Sequence, residues 1–315
     1  MSGAPDRATL VVHARDSIAR GSKSFAMASK LFDAATRERA WLLYAWCRKC
    51  DDIADGQDHG GTLTGVTDGP ARLAEMRTKT DAALRGEAAG DPAFDGFGLV
   101  MRECAIPARY AHDLIDGFAL DAADWRPRTQ DDLLRYCYHV AGAVGCMMAV
   151  LMGVDPDDGA TLDRACDLGL AFQLANIARD IGEDAAAGRC YLPADWLAEM
   201  ALTPATLMTA EARPRLTALG RRLADMAAAY EHSARHGTGV LPGRAAWAVL
   251  AAAGIYGDIA REVARRGGAA WDERVVTPKS EKLGWVVKAA LQVVGRASRW
   301  PAAARRPATL WSRPR

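Results

Sequence analysis

The sequence predicts an all-α protein built as one helical bundle, and three observations carry that prediction. Half of the 315 residues are hydrophobic and a quarter charged, with Ala abundant and Thr, Ile and Tyr sparse, so helix formers dominate and strand formers are few. Apolar residues recur at three- and four-residue steps over 37–54, 70–84, 107–120, 131–152, 163–184, 217–235, 244–266 and 282–298, and no segment sustains alternation. The breaks at 56–69, 86–96, 125–128, 155–159, 189–193 and 237–243 are rich in Gly, Pro or Asp, and none is a long linker. No internal repeat appears, and composition does not shift before about residue 270, so a single domain accounts for the pattern.

A net charge of +1 argues against a nucleic-acid protein held by a generally basic surface. Cys47, Cys50, Cys104, Cys137, Cys146, Cys166 and Cys190 are odd in number and scattered through apolar segments, as expected of reduced thiols in the cytoplasm. Cys47 and Cys50 form a C-x-x-C that no second pair or nearby His completes into a zinc set. Asp6, Arg7, Arg15 and Asp16 interrupt the N-terminus before any apolar run, so no cleavable secretory signal is expected. The uncharged stretch 140–154 is 15 residues long, short of the roughly 18 to 20 needed to cross a bilayer, and reads as a buried core helix.

Segment 44–55, Tyr-Ala-Trp-Cys-Arg-Lys-Cys-Asp-Asp-Ile-Ala-Asp, places Asp51 and Asp55 on one helix face about 6 Å apart along the axis, with Arg48 beside them. Such carboxylates repel unless a cation lies between them, and hard oxygen ligands suit Mg²⁺, which keeps coordination sites for phosphate. A solvated helix end with an Arg48–Asp52 pair explains this segment equally well when it is taken alone. Segment 173–184, Gln-Leu-Ala-Asn-Ile-Ala-Arg-Asp-Ile-Gly-Glu-Asp, repeats the theme, with Gln173, Asn176, Asp180 and Asp184 forming one stripe on an otherwise apolar helix. Unsatisfied polar groups on such a face cost on the order of a few kcal/mol, so the stripe implies a polar cavity, ions or a ligand, or else a structural polar network. Two carboxylate stripes on separate helices fit a metal–diphosphate cage.

These segments, with Ser22-Lys-Ser-Phe25, Tyr136-Cys-Tyr-His-Val-Ala-Gly-Ala-Val-Gly145 and Gly188-Arg-Cys-Tyr-Leu-Pro193, resemble the squalene and phytoene synthases over about residues 17–283. The Gly-Arg-Cys-Tyr-Leu-Pro ending is similar to the bacterial phytoene synthase form, while Gly21 stands where the family often has His and Ala54 where a larger aliphatic is usual. The resemblance implies an isoprenoid synthase bundle with a central hydrophobic cavity over residues 1–283, followed by a tail at 284–315. It implies a prenyltransferase that joins two geranylgeranyl diphosphates head to head, 1-1′, through prephytoene diphosphate to phytoene, the first committed step of carotenoid biosynthesis. Mg²⁺, with Mn²⁺ as a substitute, is the implied cofactor. No hydride is needed, so no NADPH is expected, and no G-x-G-x-x-G follows a predicted strand.

Within that resemblance Asp51, Asp55, Asn176, Asp180 and Asp184 are the metal ligands. Arg48, Arg179 and Arg189 are the phosphate donors, since a planar guanidinium offers several fixed N–H groups. Ser22, Lys23, Ser24 and Phe25 form a flap over the phosphates, and Gln173 lines the substrate site. Tyr44, Tyr136 and Tyr256 face the carbocation, Tyr136 foremost, though each also reads as a packed core tyrosine. Tyr136, Val140 and Val144 repeat every four residues, and with Gly142 and Gly145 they either open a tunnel for the prenyl chains or pack closely on a neighbouring helix. The alternatives are a squalene or dehydrosqualene synthase using farnesyl diphosphate, a terpene cyclase, and a non-catalytic family member acting as an assembly protein.

From 282 to 315 there is no acidic residue, while eight Lys and Arg accompany Trp285, Trp300 and Trp311. Such a tail suits an anionic membrane surface, so peripheral attachment to the inner membrane face is expected, near other carotenoid enzymes; a disordered solubilising tail is the alternative.

Overall fold

The computed structural model describes residues 6–55 and 68–315, with all their side chains except those of Lys23, Ser24 and Asp55. Among the described residues there is no strand. The helices are α1 (Arg7–Gly21), α2 (Lys23–Ser29), α3 (Ala34–Asp55), α4 (Gly69–Leu84), α5 (Pro92–Cys104), α6 (Arg109–Ala122), α7 (Gln130–Cys137), α8 (Ala143–Leu151), α9 (Gly159–Ala186), α10 (Ala194–Glu199), α11 (Arg213–Arg235), α12 (Gly243–Arg266), α13 (Lys279–Val294) and α14 (Arg296–Arg299).

The starts are written locally. Asp6, Ser22, Asp91 and Asp158 each accept a backbone N–H two or three residues on, and Thr129 with Asp132 makes a reciprocal capping box at α7. The break expected at 86–96 gives way to a helix from Pro92, because Asp91 caps it and Pro fits the first turn. Gly96, which closed that break, and Gly98 beyond it serve close packing instead: a Cβ at Gly98 would fall on the carbonyl of Ala83 in α4. Helices α1 and α2 were not expected from periodicity, and the break at 56–69 falls largely outside the described residues.

Helix α9 is the central rod, packed against α8, α11 and α12. Its approach to α7–α8 is backbone-close, since a Cβ at Gly145 would meet the Ala165 carbonyl and one at Gly169 the Ala141 carbonyl. Around α3 and α5 the core is aromatic, with Trp46 stacked on Phe97 at 3.8 Å between ring centroids. The helix expected at 131–152 is continuous but carries a wide π turn, Tyr138–Gly142, between α7 and α8. Gln130–Leu151 is long and apolar enough to cross a membrane, yet most of it is buried in the bundle, as a core helix would be.

The chain passes position 283/284 in the middle of α13. Beyond it, residues 300–315 are not a free tail. Arg306 pairs with Asp167, Arg313 with Asp163, and the Trp311 indole donates to Asp131. The absence of acidic residues in this segment is answered by carboxylates on the bundle.

Candidate active site

Three helix ends meet at one polar cavity of about 800 Å³: α3 contributes Asp51, α6 contributes Asp121, and α9 contributes Asp180, Glu183 and Asp184. None of these helices has a basic residue in its last turn. A helix C-terminus already carries about half a negative charge, so carboxylates there are disfavoured unless cations face them. The cavity supplies four arginines, Arg48, Arg179, Arg189 and Arg274.

Arg48 reaches Asp51 at 3.0 Å and grips Asp52 with two nitrogens at 3.0 and 2.6 Å, so the intrahelical pair is formed and coexists with the exposed Asp51. Arg179 forks onto Asp180 at 2.7 and 2.5 Å, and Arg274 adds a contact to Asp180 at 3.1 Å and another to Glu183. Burial, then the neighbouring Asp180, pushes the Asp184 carboxyl up to about 6 against the pull of Arg189 and Arg179. On the same wall, Asp121 accepts from the Tyr136 hydroxyl at 3.0 Å and from the Tyr191 hydroxyl at 2.9 Å, while the two rings stack at 4.9 Å. Burial and the Asp121 charge raise both phenols, which therefore stay protonated and donate.

Among the described residues no three His, Cys, Asp or Glu side chains converge into a closed metal set, and arginines pair with the carboxylates Asp51 and Asp180. The donor chemistry nevertheless fits a divalent cation. Asp51, Asp180 and Asp184 offer hard oxygens, Asn176 offers an amide oxygen, and the raised Asp184 marks a carboxylate whose charge is under-compensated. Cys47 and Cys50 join no group of three or more metal-ligating side chains among the described residues, and burial raises both thiols above their usual value.

A second cavity, of about 410 Å³ and mostly apolar, adjoins the first through Gln173 and Asn176, which line both. Ser22, Phe25, Tyr44 and Tyr256 line this apolar side, with Phe25 and Tyr44 centroids 5.5 Å apart and Tyr256 stacked on Phe172 at 4.3 Å. Ser22 also caps α2, accepting the Phe25 N–H at 3.2 Å. A Cβ at Gly21 would run into the Tyr44 hydroxyl, which accounts for glycine where the family often has His.

Val140 and Val144 line the apolar cavity, whereas Tyr136 lines the polar one. The split follows the helix axis, since Val144 lies eight residues, about 12 Å, beyond Tyr136, with the π turn between them. Gly142 packs closely, its Cβ position lying 2.9 Å from the Cys166 sulfur. The side chains of Lys23, Ser24 and Asp55 lie outside the described residues. Asp121, Glu183, Tyr191, Phe172 and Arg274 were not singled out by sequence reasoning. Asp121 had one signal, an acidic residue in the last turn of a helix.

Residues 18–281 match the model of the squalene/phytoene synthase family. The chain is 49% identical over 307 residues to the phytoene synthase of Pseudescherichia vulneris, covering 97% of this chain and 98% of that one. It is 47% identical over 308 residues to the 15-cis-phytoene synthase of Pantoea ananas, again covering 97% and 98%. In structure it is similar to a dehydrosqualene synthase solved with a ligand, at a TM-score of 0.82 and 25% identity over 92% of this chain and 98% of the other. A squalene synthase from Alicyclobacillus acidocaldarius shares the fold, with a TM-score of 0.72 at 24% identity over 83% and 95% of the two chains. Helical fold, paired aspartate helices and sequence agree: this chain belongs to the squalene/phytoene synthase family, divalent-metal-dependent isoprenoid synthases of the prenyltransferase type.

Proposed function

We propose that the protein condenses two geranylgeranyl diphosphates head to head to phytoene, with Mg²⁺ as the metal. The observation that carries this is the adjoining of a carboxylate- and arginine-lined cavity to an apolar one across Gln173 and Asn176, a shape that suits a charged head and a long hydrocarbon tail. The relatives named phytoene synthase support the C20 length.

Asp51, Asp180, Asp184 and Asn176, with Asp55 on the same helix as Asp51, would hold Mg²⁺, which when bound supplies neutralisation of the leaving diphosphate. Arg48, Arg179, Arg189 and Arg274 place fixed N–H donors toward the phosphate oxygens. Departure of the first diphosphate leaves an allylic cation; the alkene of the second substrate attacks it, and proton loss closes a cyclopropylcarbinyl diphosphate. The second diphosphate then departs, the skeleton rearranges to the 1-1′ bond, and a second proton is lost. Two diphosphates and two protons leave, and no reductant enters. Tyr44, Tyr256 and Phe172 present π faces on the apolar side, where a cation is attracted and water is scarce.

Purified protein incubated with geranylgeranyl diphosphate and Mg²⁺ is expected to yield phytoene with or without NADPH. Turnover of farnesyl diphosphate alone, giving squalene or dehydrosqualene, would overturn the C20 assignment, and Mg²⁺-dependent diphosphate release surviving both Asp51→Ala and Asp180→Ala would overturn the mechanism.

Peripheral attachment to the inner membrane face belongs to the same proposal, with α13 as the contact. Leu283, Val287, Leu291 and Val294 form one stripe and are between 58% and 89% exposed, beside the exposed Lys279, Lys288 and Arg299. Truncation at 283 would also remove the partners of Asp163 and Asp167, so substitutions are the cleaner test. Leu283→Glu with Leu291→Glu is expected to abolish flotation with anionic vesicles; unchanged flotation refutes the contact.

A further inference from the structure

The apolar cavity has a mouth and a far end, and α9 runs past both. Gln173 and Asn176 stand at the mouth, Thr161 and Arg164 at the far end, and the fifteen steps from Thr161 to Asn176 span about 22 Å of helix axis. A guanidinium lining an apolar space needs strong compensation. Arg164 obtains it from behind. Its stem packs at Gly237, while its guanidinium donates to the Ser233 hydroxyl at 2.6 Å and to the Ala304 carbonyl at 2.6 Å.

Ala304 lies in the C-terminal segment, and two further ties hold that segment in place. Asp167, one turn along α9 and fully buried, accepts the Ser233 hydroxyl and both arms of Arg306 at 2.9 and 2.6 Å. Arg296 donates to the carbonyls of Thr238 at 3.1 Å and Leu241 at 3.2 Å, the turn that completes the far end of the cavity. A buried ion pair contributes little net stability, and its best-supported use is to fix one arrangement among several. Here the arrangement fixed is the depth of the cavity.

We propose that residues 300–315 brace the far wall of the prenyl cavity from behind, with Arg164, which lines that wall, as the specificity-determining residue and the Arg306–Asp167 pair as the latch that positions it. Prenyl length is then read at Arg164, about 24 Å along the helix from Asp180, and set by the C-terminal segment behind it. This rests on the reading of the substrate as a prenyl diphosphate with its head at those aspartates.

The test compares kcat/KM for the C20 diphosphate and its C25 homologue in the full-length protein. Arg164→Ala and Arg306→Ala are expected to raise the C25-to-C20 ratio by about tenfold or more, and Arg306→Lys to restore it toward wild type. In the unaltered protein, a non-ionisable C20 diphosphate analogue should slow hydrogen exchange across 300–315, and a C10 analogue should not. An unchanged ratio in a folded Arg164→Ala protein, or equal exchange with both analogues, overturns the proposal. Failure of wild-type protein to turn over any prenyl diphosphate strikes the underlying reading instead.

Discussion

Arg274 lies 3.1 Å from the same Asp180 oxygen that Arg179 contacts at 2.7 Å, so one carboxylate on α9 is shared by two guanidinium groups from different parts of the chain. A metal at Asp180 must compete with both. Arg274→Gln removes one competitor and one phosphate donor together. It is expected to lower the Mg²⁺ concentration for half-maximal activity and to raise KM for the diphosphate, each by about fivefold or less because the pair is partly exposed. Metal and substrate titrations of the variant check both directions.

Adjacent aspartates on α3 have different work. Asp51 is 42% exposed and lines the polar cavity, whereas Asp52 is 8% exposed and gripped by Arg48. Asp51→Asn should cost at least about 100-fold in kcat and less than about 1 kcal/mol in stability. Asp52→Ala should cost about 1–3 kcal/mol, since it removes two charge-assisted hydrogen bonds from a part-buried guanidinium that keeps Asp51. Urea denaturation beside steady-state kinetics separates the two.

The pH dependence follows from Asp184. Burial first and Asp180 second raise its carboxyl from 3.8 to about 6. The folded protein therefore binds more protons than the unfolded chain between those values, and the contribution is present below 3.8 and lost as pH rises through about 6. Metal binding needs the carboxylate, so metal-dependent activity should climb as pH passes about 6 while metal-free stability declines over the same window. Asp184→Asn should abolish activity, raise the metal-free melting temperature at pH 7, and flatten its pH dependence between pH 4 and 6 on a scale of about 1.4 kcal/mol per pH unit at most. Differential scanning calorimetry across that range is the measurement.

Gly145 and Gly169 let α8 and α9 approach with backbones touching. Gly169→Ala should destabilise by about 1–3 kcal/mol, as overpacking does, even though alanine favours helix. Calorimetric Tm reports the sign, and a stabilised variant would refute the contact.

Much of this molecule is legible in its sequence because the informative features are local. Helix caps, apolar periodicity and the stripe Gln173, Asn176, Asp180, Asp184 each lie within a few turns of one element. What was hidden depends on tertiary neighbours. Asp121, Tyr191 and Arg274 come from α6, the loop before α10 and the segment before α13, and nothing near them in sequence announces that they meet. Gly96 read as the end of a break because its packing partner, Leu42, lies on another helix. The docking of residues 300–315 on the bundle was hidden because the aspartates that pair with Arg306 and Arg313 are more than a hundred residues away.

The π turn at Tyr138–Gly142 separates two jobs along a single rod. Before it, Tyr136 serves the wet cavity; after it, Val144 serves the dry one. Such a turn equals an ordinary helix with one residue added, and the addition is absorbed within the turn, so the two flanks keep the directions they would have on an unbroken rod. Removing one residue from 138–142 would therefore leave Tyr136 against Asp121 and Val144 at the dry cavity, so this helix has room to lose a codon without either cavity losing its lining.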